Sequence, residues 1–128
     1  MTAGVIELMA REDTVLDTGR LLVLRQSLGD QRCREVVEEV VFHLTDRISL
    51  LQKALKNGDR PEARTLALRL ASLSEQVGLT DFARVACDVA GRIDAGDAVA
   101  LDAVAGRLIR LGEDSLFTVM LYADQSAL

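Results

Sequence analysis

The chain has 128 residues, 49% of them hydrophobic but only 3% aromatic, with a single proline and a formal net charge of −5. A domain of this size buries about two-thirds of its unfolded surface, so it folds without metal or disulfide staples on a core of Leu, Val, Ile and Ala. The acidic balance excludes nucleic acid as the default partner, because phosphate binding needs massed positive charge and the arginines here are scattered.

In chain order, residues 1–12 contain Val5, Ile6 and Met9, enough for a further helical turn or two. A short helix over about 14–28 follows, with Leu16, Leu21, Leu24 and Leu28 apolar. Gly29-Asp30, Gly58-Asp59 and Gly96-Asp97 then punctuate the chain. Glycine ends a helix in the left-handed conformation, and aspartate accepts from the free amides that open the next. Pro61 suits a first helical turn, and a fourth break falls at Val77-Gly78-Leu79, with Thr80 as the expected cap.

The second helix, about 31–57, carries Val37, Val41, Leu44, Ile48, Leu51 and Leu55 as one stripe. The third, about 60–77, repeats the spacing with Ala63, Leu66, Leu70, Leu73 and Val77. The fourth, about 80–94, offers Phe82, Val85, Ala86, Val89 and Ile93. The fifth, about 97–111, offers Leu101, Val104, Leu108 and Leu111. From Glu113 a tail bearing Leu116, Phe117, Val119, Met120 and Leu121 is too apolar to stay free, and is expected to pack on the bundle or on a second subunit. The expected fold is all-α: one domain over 1–128, an antiparallel up-and-down four-helix bundle with an additional N-terminal helix and a packed C-terminal tail.

Cys33 and Cys87 lack metal-ligand spacing and read as reduced thiols, with a structural disulfide as the weaker reading. No basic-then-apolar leader and no run of ~20 apolar residues is present, so a cytoplasmic protein without a membrane span is expected. No cofactor or metal site is expected, because the chain has no phosphate loop, nucleotide fingerprint or ligand cluster. Glu38 with Glu39, and Glu12 with Asp13, read as solvated acidic neighbours rather than catalytic pairs, and Ser72 and Ser74 have no activating base. Arg32, Arg34, Arg64 and Arg69 read as members of surface ion pairs.

The order of several motifs resembles the histidine phosphotransfer (HPt) domain family. The matching pieces are Leu16-Asp17, Leu21, Leu24, Leu28-Gly29-Asp30, Ala54-Leu55, Gly58-Asp59, Ala67, Leu70, Val77-Gly78 and Gly96-Asp97, over roughly residues 16–111. The departures fall where that family does its chemistry. Leu68 stands at the phosphoacceptor histidine, Ala71 at the lysine and Ser72 at the small glycine, and the third helix contains no histidine in any register. Leucine has no lone pair to attack a phosphoryl group, so transfer through this position is excluded and no catalytic residue is assigned there.

Leu68 lies about 200° around the helix from Leu66 and Leu70, so it points away from the core, with Arg64, Ala71, Ser72 and Glu75 on its side. The resemblance implies that this face docks a receiver domain or a sensor kinase; the plainer reading is an ordinary surface leucine, or one covered by the N-terminal segment. The leading expectation is therefore a phosphorelay interaction module that is not an enzyme. Two alternatives stand beside it: phosphotransfer through His43, the sole histidine, and a purely structural or oligomerising bundle. The apolar termini also make a homodimer a candidate assembly.

Overall fold

The computed structural model describes residues 16–126, in which five helices and the turns between them account for the chain. They are α1 (Thr18–Leu28), α2 (Asp30–Lys56), α3 (Arg60–Gln76), α4 (Thr80–Ala95) and α5 (Ala98–Ser126). The all-helical class follows, and no helix among the described residues is long and apolar enough to cross a membrane. Residues 1–15, Glu12 and Asp13 among them, lie outside the described residues.

Aspartates open three of the helices, at Asp59 and Asp97 as expected and at Asp17 besides. Asp17 accepts from the amides of Gly19 (3.0 Å) and Arg20 (3.4 Å), Asp59 from Glu62 (3.2 Å) and Asp97 from Ala100 (3.0 Å). The expectation fails at two junctions. Asp30 is the first residue of α2 and faces Arg25 at 3.6 Å, and Thr80 is the first residue of α4, behind a Leu79 cap whose side chain has no acceptor. A hydroxyl or carboxylate caps only from the residue before the first helical one.

The core is aliphatic apart from Phe82, Cys33 and two buried serines, Ser74 and Ser115. Val37, Leu44, Leu51, Leu70, Leu79, Val89, Leu108 and Val119 are fully buried in it. α2 packs against α3, α3 against α4, α4 against α5, and α5 returns to α2, while α1 rests on α2. The α3–α4 contact is the most extensive. It is lined by small residues on both sides, Ala63, Ala67 and Ala71 against Ala83, Ala86 and Ala90, all buried, so the two backbones approach closely.

That close approach corrects the expected stripe of α3. Ala67, Ala71 and Ser74 join Ala63, Leu66, Leu70 and Val77 in the core, and Leu73 is only half-buried. The buried arc is turned toward α4 because small residues pack there. Ser74 is buried because its hydroxyl donates to the Leu70 carbonyl at 2.6 Å. Val41, Ile48, Leu55, Ile93 and Val104, also expected in the core, are half-buried at its margin.

α5 gives a second correction. No break separates a helix over 97–111 from a tail; α5 is one helix of 29 residues. Gly112 sits inside it, where a Cβ would come within 3.1 Å of both Ile48 and Phe82. The absence of a side chain there admits the Phe82 ring and the Ile48 side chain against the helix backbone. The part beyond Glu113 packs on the rest of the molecule through Val119 and Ala123, both buried.

Gly78 closes the other end of the molecule. Its φ is +83°, and a Cβ there would lie 2.4 Å from the carbonyl oxygen of Asp17. The Asp17 amide donates to the Gly78 carbonyl at 2.7 Å. The turn between α3 and α4 is thereby joined by backbone to the residue that caps α1. Leu21 of α1 is buried beside Cys33, whose thiol lies 4.0 Å from the Leu21 carbonyl.

Candidate functional site

α3 places Arg64, Leu68, Ser72 and Glu75 on one exposed arc, at successive turns of about 3.6 residues. Leu68 is 40% exposed, a high value for a leucine flanked by fully buried Ala67 and nearly buried Ala71. Ala71 does not belong to this surface. It is 4% exposed and turned into the contact with α4, so its methyl group supports the face from beneath.

α4 supplies the other half of the surface. α3 and α4 are joined by a three-residue turn, and Arg64 Nε lies 2.7 Å from Asp94 Oδ1 at the far end of the pair. The two helices therefore run antiparallel, with Arg64 and Asp94 equidistant in sequence from Leu79. By the same pairing, Ala71 is level with Cys87, and Ala67 with Gly91. Cys87 and Gly91 are exposed. The result is a shallow surface of small side chains from which Leu68 projects, with Arg64 and Asp94 at one end and Glu75 at the other.

The hydrogen bond to Asp94 holds the Arg64 guanidinium above its ordinary pKa. Asp94, Cys87 and Gly91 were not singled out in the sequence. On an antiparallel α3–α4 hairpin, residues equally far from the turn lie at the same level, which brings Asp94 within reach of Arg64.

The remaining sequence candidates are dispersed. His43 is half-buried on α2, edge-on to the Phe42 ring at 5.7 Å, and its backbone carbonyl accepts from Arg47. Arg32 pairs with Glu35 at 3.2 Å, whereas Arg34 and Arg69 make no ion pair among the described residues. Ser72 is exposed and Ser74 is bonded to the backbone, so neither is placed as a nucleophile. Cys33 and Cys87 are both free thiols; Cys33 is buried, and that burial pushes its thiol pKa up. The described part of α3, like its sequence, holds no imidazole, thiol or lysine amine. On the α3–α4 surface the exposed thiol of Cys87 comes from α4 and not from α3.

Comparison of the chain with protein-family models, with curated proteins and with solved structures finds no match.

Proposed function

We propose that the chain is an HPt-like signalling module, an antiparallel up-and-down four-helix bundle carrying α1 as an additional helix. It binds a receiver domain or sensor kinase of a bacterial phosphorelay without carrying phosphate, and is not an enzyme. The observation that carries this reading is Leu68. It projects from an exposed helical face at the position where the resemblance expects a phosphoacceptor histidine, on a surface whose other side chains are small or charged. A second observation supports the motif alignment behind the resemblance. Leu16-Asp17 and Val77-Gly78, far apart in sequence, meet through the Asp17–Gly78 backbone hydrogen bond.

Such a protein competes with a true relay domain for a receiver, or sequesters it. Incubation with a phosphorylated receiver domain should leave this chain unlabelled while the receiver is retained in a pull-down. Leu68→Glu should weaken that retention by about 1–3 kcal/mol, because the new carboxylate must be desolvated at the centre of the contact. Acid-labile label on the chain would overturn the reading. Its loss in His43→Gln would transfer the function to His43. Absence of any receiver or kinase partner would leave a structural bundle.

A further inference from the structure

We propose that the face formed by α2 and α5, on the opposite edge of the molecule from Leu68, is a self-complementary interface that binds a second copy of this chain across a two-fold axis. This inference is independent of the phosphorelay reading. It begins with the aromatic residues. The chain has three phenylalanines; Phe82 fills the core, whereas Phe42 on α2 and Phe117 on α5 are 70% and 62% exposed.

Both lie along the same helix pair. Cys33 and Arg34 share a pocket with Tyr122 and Ala123, and Ile48 meets Gly112, so α2 and α5 run in opposite directions and Phe42 falls near the level of Phe117. Beside them runs an open groove lined by Thr45, Ile48, Ser49, Gln52, Ile109 and Leu116, with Glu113 as its one charge. A projecting aromatic pair next to a groove with a single charge, Glu113, is the pattern of a surface that can receive its own copy, since a two-fold axis brings the same patch against itself.

Charge identifies the occupant. Along the outward stripe of α2, at steps of three and four, stand Glu38, Phe42, Thr45, Ser49, Gln52 and Lys56, all exposed. The stripe is acidic at one end, neutral in the middle and basic at the other, and Lys53 and Lys56 are the only lysines of the chain. Glu38, Lys53 and Lys56 have no ion-pair partner among the described residues. An axis near residue 47 sets Glu38 of each copy over Lys56 of the other, Thr45 over Ser49, and Phe42 over the groove end at Gln52.

The size is also adequate. α2 has 27 residues and so is about 40 Å long, and two adjacent helices are about 20 Å wide, giving about 800 Å² per copy, the area of a standard stable interface. In the dimer both Leu68 faces remain outward.

Sedimentation equilibrium of the full chain over a concentration series tests this. The wild type should dimerise reversibly. Phe42→Glu should weaken the dimer at least about 100-fold, because symmetry inserts two charges into the contact, and Phe117→Glu should act alike. Each is a change at an exposed site, and far-UV circular dichroism should show the helix content unaltered. Glu38→Lys and Lys56→Glu alone should each weaken dimerisation about tenfold, and the two together in one chain should restore it, since both symmetric pairs are rebuilt with reversed sign. A wild type that stays monomeric at the concentrations used for NMR would overturn the proposal. So would a dimer indifferent to Phe42→Glu, or a double variant no tighter than the single ones.

Discussion

Gly78 shows how one residue can be constrained twice. Its φ of +83° strains any side chain, and the Asp17 carbonyl occupies the place of a Cβ, 2.4 Å away. Gly78→Ala therefore adds left-handed strain to a backbone clash and should cost about 2–4 kcal/mol. Thermal unfolding should show it as a fall in Tm of about 10 °C. Gly58, with a φ of +72° and nothing within 4 Å of its would-be Cβ, is the control: there only the strain applies, and Gly58→Ala should cost less than half as much. Equal losses at the two sites would mean that the Asp17 contact contributes nothing. Leu68 and Ala71 are the complementary pair at this scale. Three residues apart on α3, one projects and the other is covered, because α4 lies on one side of that arc and solvent on the other.

At the scale of the element, α5 is the helix whose function in the fold is least evident from its own residues. Its first half meets α4 and α2, and its second half carries Val119 and Ala123 into the region where Leu21 and Cys33 are buried. Removal of residues 116–128 takes away the fully buried Val119 and the half-buried Met120 and uncovers their neighbours. Burial of such side chains is worth about 1.5–3 kcal/mol each, so the truncated chain should lose on the order of 3 kcal/mol or more in urea unfolding. A truncation as stable as the full chain would show that the second half of α5 is dispensable for the core. α2 contributes differently. Its inner stripe, from Cys33 through Val37, Val40, Leu44 and Leu51 to Ala54, builds the core, while its outer stripe leaves Phe42 in solvent.

For the molecule as a whole, the two thiols report on where it is closed and where it is open. Cys87 lies on the exposed α3–α4 surface, and Cys33 is buried under α1 with its thiol pKa pushed up. Thiolate is the reactive form, so Cys33 is protected both by access and by protonation. Under native conditions at pH 8, iodoacetamide should add one group per chain, at Cys87, with Cys33 following only on unfolding; peptide mass mapping distinguishes them. Native modification of Cys33 at the rate of Cys87 would show that α1 opens readily. With the α3–α4 face on one edge and the α2–α5 face on the other, the molecule has two surfaces free to act without obstructing each other.

Periodicity and turn chemistry are local, and what they govern was legible in the chain itself. The all-helical class, four of the five helices to within a residue or two at most boundaries, the aspartate caps at 59 and 97, the apolar stripe of α4 and the outward direction of Leu68 all follow from spacing along one helix. The absence of a histidine from α3 is likewise a property of the sequence alone. Other features depend on what lies opposite a residue, which no single helix encodes. Ala71 is buried because α4 approaches it closely, Gly112 continues α5 because the Phe82 ring packs on it, and Arg64 meets Asp94 because the α3–α4 hairpin runs antiparallel. Only tertiary structure decided these, since burial, close approach and ion pairing are relations between elements.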